Sequence, residues 1–268
     1  MNRIFLLRAY GDFVILLQAI LRSNTSKNYS IVASSHLKPL YLALYSFKDM
    51  SHLQIEFIDF GINKGQLRLF TNRHFLHFET LKELKKIRQF VEKNPNKDGV
   101  DFIEQAIRID LLNWFTRSKF QSMIHPEAIY ENYDAFFSND LVSNESKKPV
   151  QKIAIFPDAR IAKRIIPIHT IQKIKNTINT QGLKLEVIRF KNQVEENDQL
   201  YENFNQLIDF IQQADLIIGA DSLPIHLAQF FQKKQFMFFP EGGLTNFLTP
   251  YAKSKTSYGN FNQFNISL

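Results

Sequence analysis

The 268 residues include no cysteine, which excludes a disulfide framework, a thiolate metal site and a thiol nucleophile. Such a composition suits a reducing compartment. Glycine and proline number 9 each, too few for a collagen-like or low-complexity chain. Long apolar runs are missing as well. No stretch approaches the roughly 18 to 20 uninterrupted apolar residues of a membrane-spanning helix. The apolar N-terminus is interrupted by Asp12, followed by Arg22, and lacks a small-residue cleavage site, so it does not read as a secretion signal. A cytoplasmic protein is expected. P-loop, Gly-x-Gly-x-x-Gly and Gly-x-Ser-x-Gly patterns are also absent, which disfavours a P-loop NTPase, a nicotinamide dehydrogenase and a serine hydrolase.

What is present is a globular mixture, 44% hydrophobic and 22% charged, with enough apolar mass for one large domain or two ordinary ones. Lysine and arginine total 33 against 26 acids, a net charge of +7. That surplus fits nucleic acid, an anionic membrane face or a phosphate-rich substrate. The cations are scattered, with short clusters at Lys82, Lys85, Lys86 and Arg88 and at Lys163 and Arg164. No nucleic-acid-binding signature accompanies them, so a nucleic-acid partner is not expected. The 26 Phe and 9 Tyr are expected to fill cores, with the stretch from Trp114 to Phe120 a candidate acceptor groove or membrane-facing patch.

Strand and helix patterns alternate along the chain. Ile4–Leu7 reads as a strand that turns at Gly11 and Asp12 into a helix from Phe13 to Leu21. A strand at Ser30–Ala33, a helix from about His36 to Phe47 and a strand at Gln54–Ile58 follow. Gly61 and Gly65 bracket a loop, Gln66–Phe78 suggests a hairpin, and an amphipathic helix begins at Thr80 and ends at Asn94–Gly99. Residues 100–137 have no clear period. Asn139–Lys152 reads as a polar linker. Beyond it come a strand at Ile153–Phe156, a helix from Pro167 to Thr180 capped by Gly182, and a strand at Leu185–Ile188. A helix carrying Leu200, Phe204, Leu207, Ile208 and Ile211 leads to a strand at Leu216–Ile218, a helix from Asp221–Ser222 to Phe231 and a strand at Phe236–Phe239. The alternation predicts parallel sheets in two α/β halves, divided near residue 145, with ligands at the carboxyl ends of the strands.

Three segments can carry chemistry. In Asp221-Ser222-Leu223-Pro224-Ile225-His226-Leu227-Ala228 an apolar strand ends and a helix opens on an N-cap, with Pro224 in its first turn. The unpaired amides and dipole of that turn suit a diphosphate, while the plain alternative is simple capping with a packed His226. In Phe156-Pro157-Asp158-Ala159-Arg160-Ile161-Ala162-Lys163-Arg164-Ile165-Ile166-Pro167 a strand enters a basic loop, which either neutralises phosphate or is merely solvated. At the first strand-to-helix turn, Gly11 permits a tight or left-handed backbone and Asp12 is either a general base or an N-cap. His74 and His77 lack a third ligand nearby, and His125-Pro126 reads as a loop or helix start.

Taken in order, these segments resemble glycosyltransferase family 9, the lipopolysaccharide heptosyltransferase family. Arg8-Ala9-Tyr10-Gly11-Asp12 is similar to the family's Gly-Asp turn. The segment from Phe156 through Lys163-Arg164 to Pro167 is similar to its strand end and Lys-Arg-Trp-Pro loop. Asp221 to Ala228 is similar to its Asp-Ser-Gly-Pro-x-His-Leu-Ala stretch. Phe239-Pro240-Glu241-Gly242-Gly243 echoes the glycine turn after the last strand. Leu223 stands where the family has Gly, Ile166 where it has Trp, and Asp158 where it has Gly. Pairing with Arg160 or Lys163 would offset the charge that Asp158 brings to a phosphate pocket.

The resemblance implies an α/β, GT-B-like fold of two Rossmann-like lobes facing a central cleft, residues 1–145 on the acceptor side and 146–268 binding the nucleotide sugar. It further implies an inverting, metal-independent transfer with no cofactor. Asp12 would be the base and Lys163 the group offsetting leaving-group charge. Gly11, Arg160, Arg164, Asp221, Ser222, Leu223, His226, Gly242 and Gly243 would bind the donor. The implied partners are a nucleotide-sugar donor and a glycolipid or oligosaccharide acceptor, which would bring the chain to the inner face of the plasma membrane. A catalytically silent nucleotide-binding protein and another nucleotide-sugar enzyme, such as an epimerase, remain open alternatives.

Overall fold

The computed structural model describes residues 1–7, 9–24, 28–60, 78–104, 109–123, 128–140, 149–179, 182–190, 198–243 and 246–266. Arg8, Gly61, Gly65, positions 66–77 of the expected hairpin (with His74 and His77), His125, Pro126, linker positions 141–148 and Thr180 lie outside the described residues. The chain divides into two compact units, Met1–Asn139 and Asp140–Leu268. Among the described residues no helix is long and apolar enough to cross a membrane.

The first unit runs β1 (Asn2–Leu6), α1 (Tyr10–Arg22), β2 (Tyr29–Ser34), α2 (Lys38–Tyr45), β3 (Gln54–Ile58), α3 (Phe78–Lys93), β4 (Asp101–Ile103), α4 (Ile109–Thr116), β5 (Phe120–Ser122) and α5 (Ile129–Phe136). Its five strands form one parallel sheet in the order β3-β2-β1-β4-β5. β1 lies at the centre, pairing Ile4 with Ile31 on one side and Phe102 on the other. A strand covered on both faces must be apolar throughout, and Ile4, Phe5 and Leu6 are fully buried. Residues Asp12 to Ile20 of α1 are all buried, because α5 covers the helix on a further side. Arg22 pairs with Asp134 of α5 at 3.3 Å, and Asn139 donates to the Ala19 carbonyl at 2.7 Å. At the amino ends of the strands, Arg3 ties β1 to β4 through a two-pronged bond to Asp101 at 2.7 Å per arm.

The second unit runs β6 (Lys152–Phe156), α6 (Ile168–Asn179), β7 (Lys184–Phe190), β8 (Gln199–Tyr201), α7 (Phe204–Gln213), β9 (Leu216–Ala220), α8 (Leu223–Phe230), β10 (Lys234–Phe239), α9 (Pro250–Lys255) and β11 (Tyr258–Asn260). Its six strands are parallel in the order β11-β10-β9-β6-β7-β8. Ile153, Ile155, Ile218, Phe236 and Phe238 of the sheet pack with Ile171, Ile174 and Ile178 of α6. The Asp215 carboxylate accepts the amides of Gln151 and Lys152 at 3.0 and 2.9 Å, setting the start of β6 beside β9.

Several expectations need correction. Gly11 is the second residue of α1 with helical backbone, so the turn before it uses no left-handed glycine. Leu200 belongs to β8. The helix starts at Phe204, where the Asn203 side chain accepts the Gln206 amide at 3.0 Å. Phe78 opens α3 rather than closing a hairpin. β10 is not the final strand, since β11 adds to its outer edge. Gly182 has φ +69°, in keeping with its expected place after α6. Residues 100–137 hid two three-residue strands and two eight-residue helices, all too short to establish a period.

Ile218 is fully buried at the centre of the second core. Ile218→Ala is expected to lower the stability of this unit by about 2 to 5 kcal/mol, as measured by chemical denaturation.

Candidate functional site

In each sheet the winding reverses beside the central strand, at β1/β4 in the first unit and at β6/β9 in the second. Loops leaving the two carboxyl ends then run in opposite directions and leave a crevice, where open α/β sheets bind ligands.

The second unit builds its crevice from three loops. After β6, residues 157–167 include one 3-10 turn, Ala162–Arg164. The Ile166 amide bonds back to the Pro157 carbonyl at 2.9 Å and closes this loop. Arg164 reaches across to the segment after β9, where its Nη1 meets the Asp221 carboxylate at 2.8 Å and the Asp221 carbonyl at 3.3 Å. Asp221 is 4% exposed, and its other oxygen lies 3.4 Å from His226 Nε2. Because α8 starts at Leu223, His226 sits one turn along it and faces back to Asp221. The loop after β10 adds Phe247. Its ring centroid is 6.0 Å from the Arg164 guanidinium carbon and 6.4 Å from the His226 ring. A cation held beside an aromatic face and a carboxylate keeps one orientation.

Ser222 is the N-cap of α8 by backbone conformation, yet its hydroxyl bonds back to the Ala220 carbonyl at 3.3 Å and caps no helix amide. Pro224 removes one donor from the first turn. Leu223, partly exposed, begins the helix. Gly242, with φ +66°, and Gly243 form a tight turn after β10, with the Gly243 amide bonded to the Pro240 carbonyl at 2.8 Å. A Cβ on Gly243 would lie 2.7 Å from that carbonyl, so only glycine fits there. The structure therefore brings Arg164, Asp221 and His226 into contact, with Ser222 and Leu223 adjoining. Arg160 and Lys163 are exposed on the β6 loop.

The charge of Asp158 is met from another strand. Asp158 pairs with Arg189 at 2.9 Å and accepts the Phe190 amide at 3.2 Å, rather than meeting Arg160 or Lys163. Arg189 also bonds Asp198 at 2.6 Å. A carboxylate at the end of β6 lies beside the end of β7, and the neighbouring strand supplies its cation. Burial lifts the Asp158 carboxyl above the ordinary range, against the pull of the Phe190 amide and Arg189. Burial pushes the Tyr201 phenol up to about 12, with the Asp158 charge adding to it.

In the first unit, Asp12 is the third residue of α1, within its first turn and buried. A carboxylate there is favoured by the helix dipole. Tyr10 precedes it, its phenol raised by burial, with its ring 5.5 Å from that of His36. His36 Nδ1 lies 2.8 Å from the Ser34 hydroxyl at the end of β2. Glu104, directly after β4, is buried at the same edge. Ser34, His36, Glu104, Arg189 and Phe247 were missed in the sequence. Their roles depend on which strand ends are neighbours, and no local pattern carries that.

No protein-family model and no curated protein matches the sequence. Solved structures do resemble it. A glycosyl transferase family 9 protein from Veillonella parvula DSM 2008 aligns with TM-score 0.60 and 11% identity over 97% of this chain and 84% of that one. The ADP-heptose lipopolysaccharide heptosyltransferase II of E. coli gives 0.58 and 11%, covering 97% and 89%. E. coli heptosyltransferase WaaC, solved with ADP, gives 0.56 and 10%, covering 96% and 92%. At such identity the likeness establishes the fold: two α/β units with parallel sheets, of the kind found in GT-B-type glycosyltransferases.

Two outcomes follow from the second unit's geometry. Arg164→Ala would leave buried Asp221 without its guanidinium and lower stability by about 1 to 3 kcal/mol. Adding Asp221→Asn should recover part of that loss in a denaturant titration. The raised Tyr201 pKa means that the fold favours the neutral phenol. Its stabilisation is complete below the ordinary value of about 10 and is lost as pH rises through about 12. Tyrosinate absorbance should show one phenol titrating last, and Tyr201→Phe should remove that component.

Proposed function

We propose that this chain is a glycosyltransferase that moves a sugar, heptose-like, from a nucleoside-diphosphate donor to a hydroxyl of a bacterial lipopolysaccharide or related surface glycolipid. The observation that carries this reading is the crevice of the second unit. There a buried carboxylate, Asp221, holds the Arg164 guanidinium at the β6/β9 winding reversal, beside the first turn of α8. A cation and a helix start at that position suit a diphosphate. The likeness in fold to heptosyltransferases supports the same reading, one of them solved with ADP and with ADP-2-deoxy-2-fluoro heptose.

In this mechanism an acceptor oxygen attacks the anomeric carbon as Asp12 takes its proton. The bond from that carbon to the diphosphate oxygen breaks, and its electron pair leaves with the diphosphate. Attack from the face opposite the leaving group inverts the anomeric centre. Lys163 and Arg164 offset the growing negative charge, and no metal is required. Arg164 uses Nη1 on Asp221, and the rest of its fork is what a phosphate would take. Arg160, Ser222, Leu223, His226, Gly242 and Gly243 line the donor, and Gly11 is assigned to donor binding as well. The acceptor would draw the chain to the inner face of the plasma membrane. Nucleotide binding without transfer is the second reading. It is favoured by Leu223, whose side chain stands at the start of α8 where a phosphate would approach.

A thermal-shift series with ADP and ADP-heptose tests donor binding. A ligand present at about 100 times its Kd adds about 2.7 kcal/mol. Lys163→Ala should cut turnover onto heptose-deficient lipopolysaccharide by about 100- to 1,000-fold. Asp12→Ala should abolish transfer while keeping the ADP-induced shift. A chain that none of the nucleoside-diphosphate sugars stabilises would overturn the proposal, and one that is stabilised but transfers nothing would favour the second reading.

A further inference from the structure

The mechanism leaves the buried Glu104 carboxylate unused. Glu104 follows β4 directly and is 1% exposed. Its Oε1 accepts the Leu7 amide at 2.8 Å. Leu7 is fully buried and is the first residue past β1. Pairing between β1 and β4 ends at Phe5 and Ile103, and the Ile103 carbonyl is engaged by the Met123 amide at 2.9 Å. A side chain thus supplies the acceptor for Leu7 just where the ladder of strand bonds runs out.

That choice of side chain calls for an explanation. A carboxylate removed from water is tolerated only when it is partnered, and an amide at the end of a strand could have been left to solvent or to a serine. Asp12 lies five residues beyond Leu7, in the first turn of α1, so Leu7 is a fixed point of the chain shortly before the proposed base. Both carboxylates stand at the carboxyl ends of adjacent strands, on the two sides of the winding reversal.

We infer that Glu104 is a positioning residue. By holding the Leu7 amide it sets where the first turn of α1, and with it Asp12, stands at the edge of the sheet. This rests on the reading of Asp12 as the base. Glu104 itself touches neither substrate nor reacting atoms.

The test compares Glu104→Ala, Glu104→Asp and Glu104→Gln with Asp12→Ala, using ADP-heptose and heptose-deficient lipopolysaccharide. Glu104→Ala should lower kcat by about 10- to 100-fold, the scale expected when a reacting group is misplaced by about 1 Å. KM for ADP-heptose and the ADP-induced thermal shift should stay at wild-type values. Hydrogen exchange should speed up over residues 9–17 in this variant. Glu104→Gln offers a carbonyl to the same N–H and should restore most of kcat and of the protection. Should Glu104→Ala fail to fold, Glu104→Asp decides, because it keeps the carboxyl group but draws the oxygen back by one methylene. It should fold, bind ADP and lose kcat. An inactive Asp12→Ala beside a folded, fully active Glu104→Ala or Glu104→Asp overturns this inference alone. A fully active Asp12→Ala overturns the base and this inference together.

Discussion

All described strands in each unit run the same way, so every carboxyl end opens on one edge of its sheet, and the central strand is where the winding reverses. The remaining features of the candidate sites depend on this constraint. At the reversal two loops diverge and expose a gap. Groups that bridge the gap must come from segments distant in sequence. Arg164 and Asp221 do so in the second unit, 57 residues apart. Leu7 and Glu104 do so in the first, 97 residues apart.

In both units the bridging group is a buried carboxylate, and the energetics explain its form. Burying an ionised oxygen is unfavourable until donors surround it. The groups around it thereby become fixed in place: a guanidinium and a nearby imidazole for Asp221, a backbone amide for Glu104. Asp158 follows the same rule through Arg189 and the Phe190 amide. Asp158 is thus engaged by a neighbouring strand, and Arg164 is left to pair with Asp221. A residue that looks unfavourable for a phosphate pocket is made compatible with one by a contact outside the motif.

Departures from the heptosyltransferase pattern noted in the sequence fall in the second unit. Ile166 is fully buried in the second core, packed with the sheet and α6, so it acts as a closing residue of the β6 loop. Leu223 occupies the first helical position of α8, and its predecessor Ser222 turns its hydroxyl away from the helix amides. A bulky residue in place of glycine narrows the approach of a ligand's phosphate to the backbone. These substitutions keep the scaffold while altering the surface that a donor would meet.

The sequence by itself determined the alternation of strands and helices, the parallel sheets, and the strand at Gln54–Ile58 to the residue. It also marked Arg164, Asp221 and His226 as separate candidates, because each lies within a local signal: a strand end, a basic loop, a helix start. Buried strands and long helices announce themselves through runs of apolar residues that neighbours in sequence supply. Tertiary structure alone decided the rest. The three-residue strands β4, β5, β8 and β11 take their identity from pairing with a neighbouring strand. Leu200 shares the helical spacing of α7 yet pairs through Arg189 of β7. The partners of Asp158, Leu7 and Asp221 come from strands that are adjacent in space and distant along the chain, and only the order of the sheet brings them within hydrogen-bonding distance.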